Sequence, residues 1–310
     1  MSGYVGRLAP SPTGALHLGN VRTFMIAWLR ARSQGGKVIL RMEDLDHPKD
    51  KPGAATQAIK DLRWLGFDWD EEYVQSERKP IYRAALESLG GHVYPCVCSR
   101  RDVEAAQSAP HDGEQLFYPG TCRGRFATWQ EALAVKGALP CWRFSVPDDA
   151  KVAFDDVFAG HYEQDVSRTL GDFPLARDEF GAGYTLACTV DDLLMGVTEV
   201  VRGDDLLAAT PAQILLANAL RSSSTLHLHL HSTPSYCHVP LVVGRDGRRL
   251  AKRHGDTRIA SYREQGKAPE EIIGFLAASC GWANDDEKVA LSGILPRFDL
   301  GTVPRAPFMI

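Results

Sequence analysis

At 310 residues the chain exceeds one ordinary domain, and a prior of about 150 residues per domain points to two units. Its 44% hydrophobic and 24% charged residues, with 28 Gly and 18 Pro, sit near globular averages and exclude collagenous, coiled-coil and wholly disordered classes. With 35 basic against 39 acidic residues the net charge is −4, so a nucleic acid would have to be met by a local basic patch.

The segment from Met1 to Arg7 has no basic stretch leading into an apolar core, which speaks against a secretory signal. Tyr4 to Ala9 reads as an extended stretch running into Pro10-Ser11-Pro12-Thr13-Gly14. Leu18 to Arg32 follows as a helix with one apolar side. Lys37 to Met42 is a short branched run that reads as a strand, and Ala54 to Leu65 is again helical in pattern. Strand and helix in alternation predict an α/β fold on a parallel sheet.

After about Tyr94 the alternation breaks, and Pro, Gly and short irregular runs continue to about Gly183, which predicts an inserted module over 94–183. Tyr184 to Cys188 and Thr198 to Val201 read as strands, and Pro211 to Leu220 as a helix with Pro in its first turn. The sheet domain is therefore expected in two pieces, 1–93 and 184–265. Leu226 to His231 alternates with a period of two and predicts a strand with His227, His229 and His231 on one outward face. Without a further ligand type at zinc spacing, polar outward positions describe that face better than a metal site. Residues 266–310 read as a short helical segment. Its most apolar run, Ile272 to Ala283, falls short of the roughly 20 residues of a membrane span, so a cytoplasmic protein with no membrane partner is expected.

Three patterns carry chemistry. The turn between the first strand and helix, Arg7 to Asn20, offers free N–H groups and a positive helix end for phosphate. Gly14 and Gly19 allow close approach, and His17 can donate to developing phosphate charge. Arg249-Leu250-Ala251-Lys252-Arg253 is a basic cluster after the turn Gly244 to Gly247, which alone reads as a solvated loop and beside the first pattern as a phosphate clamp. Seven Cys are an odd number, and Cys96, Cys98 and Cys122 fall in one segment. In a reducing compartment that pattern favours structural zinc over disulfides, with His111 the ordinary choice of fourth ligand.

The two basic and phosphate patterns together resemble class I aminoacyl-tRNA synthetases, whose signatures His-Ile-Gly-His and Lys-Met-Ser-Lys-Ser stand here as His17-Leu18-Gly19-Asn20 and Arg249-Leu250-Ala251-Lys252-Arg253. The longer stretches Arg7-Leu-Ala-Pro-Ser-Pro-Thr-Gly14 and Arg41-Met-Glu-Asp-Leu-Asp46 are similar to the glutamyl branch. Asn20, Arg249, Ala251 and Arg253 depart from the signatures, and Lys252 is retained.

The resemblance implies a Rossmann-type catalytic domain with an insertion between its halves, ATP with Mg²⁺ as co-substrate and L-glutamate as substrate. Pro10, Gly14, His17, Gly19, Asn20 and Lys252 would bind ATP, with His17 and Lys252 catalytic. Arg7 and Arg202 would take carboxylates, Ser11 would add a hydroxyl, Glu43 would pair with the ammonium and Tyr184 would close the pocket. It also implies Tyr118 as the fourth ligand of a zinc set with Cys96, Cys98 and Cys122, with His111 as the alternative.

Only 55 residues follow Gly255, too few for another typical domain. The expectation is a monomer without an anticodon-binding domain, resembling the shortened glutamyl paralogues that attach glutamate to queuosine in the anticodon loop of tRNA(Asp). The rivals are a shortened synthetase charging the 3′ end of tRNA(Glu) or tRNA(Gln), and a non-catalytic glutamate or RNA sensor suggested by the altered loop at Arg249 to Arg253.

Overall fold

The computed structural model describes residues 3–12, 14–45, 52–106, 117–136, 139–179, 181–224, 228–248, 250 and 256–310. Lys252, with Arg249, Ala251 and Arg253, lies outside the described residues, and so do His111 and His227.

The chain opens with β1 (Val5–Leu8), α1 (Leu18–Arg32), β2 (Lys37–Met42), α2 (Ala54–Trp64), β3 (Glu71–Val74) and α3 (Lys79–Ser88). The first three strands form a parallel sheet in the order β1-β2-β3, with Arg7 level with Ile39 and Arg41 level with Tyr73. β2 is buried at every position after Lys37, as befits a central parallel strand covered on both faces. α1 buries Leu18, Val21, Met25, Ile26 and Leu29 at helical spacing, and it carries Arg30 and Arg32 in its last turn, where cations suit the helix dipole.

A mostly antiparallel region follows: β4 (Val93–Cys96), α4 (Arg100–Ala106), α5 (Trp129–Lys136), β5 (Cys141–Phe144), β6 (Lys151–Asp156), β7 (Gly160–Asp165), α6 (Val166–Thr169) and β8 (Pro174–Ala176). β4, β5 and β8 form one antiparallel sheet and β6 and β7 a hairpin, so the stretch that reads as irregular in sequence is held by strand pairing. Its strands are only three to six residues long and Pro interrupts β4 and β8, which hides their alternation. Phe144, Phe173 and Leu175 pack with Tyr82 of α3 and Leu186 and Leu216 of the following helices in one core. The Phe144 and Phe173 rings stack at 5.1 Å.

The parallel pattern resumes with α7 (Tyr184–Leu194), β9 (Glu199–Gly203), α8 (Thr210–Ser222) and β10 (Ser235–Val239). β9 and β10 pair in parallel. Thr198 fastens β9 to β1, donating its N–H to the Val5 carbonyl at 2.9 Å and accepting the Val5 N–H on its hydroxyl at 2.9 Å. β11 (Val242–Val243), α9 (Ile259–Glu264), α10 (Pro269–Ala278), α11 (Leu291–Ile294) and β12 (Phe308–Met309) complete the chain.

Three sequence expectations are corrected here. Tyr184 to Cys188 is the first turn of α7, not a strand. The aromatic and β-branched residues suggest β, but Leu186, Ala187, Val190 and Leu193 recur at helical spacing and are all buried. Leu228 to His231, the described part of the alternating run, forms no strand: the His231 N–H bonds the Leu193 carbonyl at 3.0 Å, and the His229 and His231 rings meet edge to face at 5.3 Å. Nor is the 266–310 segment helical throughout, since β12 pairs with β11 in parallel.

Candidate active site

A cleft of about 490 Å³ opens where β1, β2 and β9 end and α1 and α7 begin. Open α/β sheets bind ligands at such strand ends. Arg7, Pro10, Ser11, Gly14, His17, Gly19, Asn20, Glu43, Tyr184 and Arg202 all line it, so every described ATP and glutamate candidate meets in one place. The Glu43 N–H bonds the Pro10 carbonyl at 2.9 Å and ties the two signature-bearing segments together.

On one side of the cleft is the start of α1. His17 is its N-cap: Nδ1 accepts the Gly19 N–H at 3.1 Å, while the His17 N–H donates to Asn20 Oδ1 at 3.2 Å. This reciprocal cap gives a physical reason for Asn where the signature has a second His, because a short amide reaches back to the cap backbone. A Cβ on Gly19 would stand 3.0 Å from the His17 ring, so glycine keeps the ring in this position. The segment that follows the second signature is bonded to the same place. Leu18 N–H donates to the Thr257 carbonyl at 3.1 Å and Ile259 N–H to the Leu16 carbonyl at 2.9 Å.

On the other side are two buried arginines. Arg7 donates from Nη1 to the Val201 carbonyl at 2.7 Å, and its Nε lies 3.7 Å from Asp192 Oδ1. Arg202 donates from Nε to His238 Nε2 at 3.0 Å, from Nη2 to the Thr210 hydroxyl at 2.8 Å and from Nη1 to the Tyr184 phenol at 3.4 Å. Glu43 accepts from Arg41 Nη2 at 3.0 Å and from the Cys188 thiol at 3.2 Å, both on Oε1.

Behind the cleft the charges are closely paired. Arg41, 1% exposed, also reaches Asp192 at 2.6 Å and Asp191 at 3.9 Å, and Asp191 accepts from Arg78, Gln75 and Tyr82. Burial opposes the Arg41 charge, but Asp192, Cys188, Glu43 and Asp191 outweigh it and raise its pKa. Burial first, then the charges of Glu43 and Asp192, push the Cys188 thiol far up against the pull of Arg41, so it remains a proton donor to Glu43. Sequence reading missed these supporting residues and the cleft-lining Asp205 and Leu241. Arg41 had a signal, since it stands two residues before Glu43 at the end of β2, whereas His238 had none locally.

The third candidate cluster lies apart, beside β4. The Sγ atoms of Cys96, Cys98 and Cys122 lie within 4.8 Å of one another. The Tyr118 phenol stands 3.2 Å from Cys96 Sγ and 3.7 Å from Cys98 Sγ, and Cys98 and Cys122 are 3.6 Å apart. Bonds of about 2.3 Å to a tetrahedral zinc imply sulfurs about 3.8 Å apart, so the donor set fits such an ion. Hydrogen bonds from Cys141 and Tyr118, with the Arg143 guanidinium, bring Cys96 down to about 4 against the cost of burial. Burial and the neighbouring sulfurs push Cys98 up to about 11. No Cys is in a disulfide.

Residues 5–302 match the family of tRNA synthetases class I (E and Q), catalytic domain. The chain is 46% identical to the Glutamyl-Q tRNA(Asp) synthetase of Symbiobacterium thermophilum, covering 98% of its own length and 95% of that protein's. It is also 46% identical to the Glutamyl-Q tRNA(Asp) synthetase of Rhodopirellula baltica, covering 100% and 97%. Among solved structures, a glutamate tRNA ligase from Elizabethkingia meningosepticum in complex with its amino acid superposes with a TM-score of 0.80 at 27% identity, over 100% of this chain and 67% of that one. A match over nearly the whole chain, with His17, Gly19 and Asn20 of the first signature lining one cleft, makes this protein a member of the class I tRNA synthetases for glutamate and glutamine, a family of ligase-type enzymes.

Proposed function

We propose that the protein activates L-glutamate with ATP and transfers the glutamyl group to queuosine in the anticodon loop of tRNA(Asp). The observation that carries the activation step is the cleft itself, where two arginines and a carboxylate face a capped helix start. Those groups answer the two carboxylates and the ammonium of glutamate on one side and the phosphates of ATP on the other. What supports the modified base as acceptor is the 46% identity over 95% of the length of the Symbiobacterium protein.

In this reading Arg7 and Arg202 hold the carboxylates, and Glu43 offers its second carboxyl oxygen to the ammonium. Ser11 and Tyr184 close the pocket. A glutamate carboxylate oxygen attacks the α-phosphorus of ATP, the bond to the β-phosphate bridging oxygen breaks, and pyrophosphate leaves with Mg²⁺. Catalysis is chiefly positioning and charge stabilisation, assigned to His17 and Lys252. Lys252 stands five residues before Thr257, whose carbonyl is bonded to Leu18, so an extended chain gives it a reach of at most about 18 Å from that anchor. The adenylate then acylates a hydroxyl of the cyclopentene diol and AMP leaves. An adjoining cavity of about 420 Å³ shares Ser11, Glu43 and Tyr184 with the cleft, and in this reading the acceptor nucleoside would enter there. Zinc held by Cys96, Cys98, Cys122 and Tyr118 would be structural, supplying positive charge that ionises the ligands.

The test is transfer of labelled glutamate, with ATP and Mg²⁺, to tRNA(Asp) with and without queuosine and to tRNA(Glu), followed by nuclease mapping of the label. Label in the anticodon fragment that depends on queuosine is expected. Label at the 3′ end of tRNA(Glu) would overturn the acceptor assignment, and no glutamate-dependent ATP–pyrophosphate exchange would overturn the activation step.

A further inference from the structure

Arg202 is 5% exposed, yet its hydrogen-bond partners among the described residues are all neutral: an imidazole, a hydroxyl and a phenol. A buried guanidinium with no carboxylate against it is costly unless an anion arrives. An acid, Asp156, is held one residue away from it, with His238 between them. His238 Nδ1 lies 2.6 Å from Asp156 Oδ2 and His238 Nε2 accepts from Arg202 at 3.0 Å. Since Arg202 Nε can only donate, Nε2 must present its lone pair, and the ring proton must sit on Nδ1 and point at Asp156.

Asp156 is itself tightly fixed. It is 4% exposed and accepts the backbone N–H groups of Phe158 at 3.0 Å, Ala159 at 2.7 Å and His238 at 3.0 Å. Burial opposes its charge, but the His238 bond and these N–H groups prevail and hold its carboxyl below the ordinary range. The Tyr236 ring stacks on His238 with centroids 6.1 Å apart and keeps the imidazole plane. Asp156 ends β6, His238 is in β10 and Arg202 in β9, so this line of side chains joins the antiparallel region to the cleft.

We propose that Asp156 and His238 are positioning residues for the activation step. Asp156 fixes the tautomer of His238, and His238 holds Arg202 in place without neutralising it, so that the guanidinium charge is left for a carboxylate of the substrate. An acid in direct contact with Arg202 would anchor it equally well but would compete with that carboxylate. The inference rests on the reading of Arg202 as a carboxylate-binding group.

The experiment is ATP–pyrophosphate exchange by the full chain, with glutamate varied at saturating ATP and ATP varied at saturating glutamate. The variants are Arg202→Ala, His238→Leu, His238→Gln and Asp156→Asn. Loss of a hydrogen bond to a charged group predicts that His238→Leu raises the glutamate KM about 10- to 100-fold, while the KM for ATP moves less than about threefold. His238→Gln returns an acceptor oxygen to Arg202 and should recover most of that loss. Asp156→Asn, which is nearly isosteric, should raise the glutamate KM in the same direction. A lower kcat or active fraction at unchanged glutamate KM, or Gln no better than Leu, would show that the pair merely supports the fold and would overturn the proposal. If Arg202→Ala leaves the glutamate KM unchanged, or the unaltered protein shows no exchange, the underlying reading of Arg202 falls and the proposal with it. A raised KM in Arg202→Ala alone overturns only the roles of Asp156 and His238.

Discussion

Replacing Arg41 with Met tests whether the buried charge pairs behind the cleft stabilise the protein as their geometry indicates. Arg41 is 1% exposed and lies 2.6 Å from Asp192, 3.0 Å from Glu43 and 3.9 Å from Asp191. Without it, among the described residues Asp192 keeps only the more distant Arg7 at 3.7 Å as an ion-pair partner, and Glu43 keeps the Cys188 thiol. Removing one partner of a buried ion pair costs about 3–5 kcal/mol because the other charge remains buried, and that is about a fifth or more of an ordinary folding stability of about 5–15 kcal/mol. Asp191 should suffer less, because Arg78 at 2.8 Å still pairs with it. With a urea slope of about 2–3 kcal/mol per molar, the unfolding midpoint should fall by about 1 M or more. Urea denaturation followed by circular dichroism and tryptophan fluorescence reads this directly. A second change, Asp192→Asn, made on top of Arg41→Met, should restore part of the loss, since it removes the stranded charge. A midpoint within about 0.3 M of the unaltered protein would refute the reasoning, as it would mean that these carboxylates do not depend on Arg41.

Four further outcomes are expected. Burial lowers the His238 pKa from 6.5, opposed by the Asp156 bond and assisted by Arg202 and Arg7. The stability held by the neutral ring is therefore complete above pH 6.5 and declines as pH falls below it, and His238→Gln should flatten the urea midpoint between pH 7 and pH 5. Cys98→Ser should lose zinc by atomic absorption and lower the melting temperature while the folded fraction still adenylates; Tyr118→Phe should lose metal only if the phenol rather than His111 is the fourth ligand. Lys252→Ala should cut the exchange kcat about 100-fold or more with glutamate binding unchanged by calorimetry, and equal loss in both would contradict a role confined to the transition state. Gly183→Ala sets a Cβ 2.9 Å from the Leu175 carbonyl and should cost about 1–3 kcal/mol by the same urea assay, with a neutral result arguing against close packing there.

The parallel sheet and its first helices were legible because their signals are local. α1 occupies Leu18–Arg32, the span its periodicity predicts, and β2 is Lys37–Met42. The cleft was legible because its residues sit in short motifs at strand ends. The errors have one cause: windows too short to separate periods. Five residues from Tyr184 look like a strand until Val190 and Leu193 are counted, and the Leu-His alternation finds no neighbouring strand to pair with. Asp156 and His238 could not be seen at all, because their meaning arises from an 82-residue separation that only the fold closes. The Cys cluster was readable in sequence, but the place of Tyr118 among the three sulfurs depends on the β4 and β5 pairing and on Arg143, whose guanidinium lies 3.8 Å above its ring.

The fastening of β1 to β9 also sets a timetable for synthesis. Val5 waits for Thr198, 193 residues later in the chain, to complete one edge of the first sheet. At about 5–20 residues per second a ribosome takes roughly 10–40 s to make that stretch, and throughout it the outer edge of β1 presents unpaired N–H and C=O groups to the cell. The nascent N-terminal half thus carries an exposed strand edge of the kind that aggregates unless covered, and yield on expression should respond to translation speed through the middle of the message more than to codons at its start.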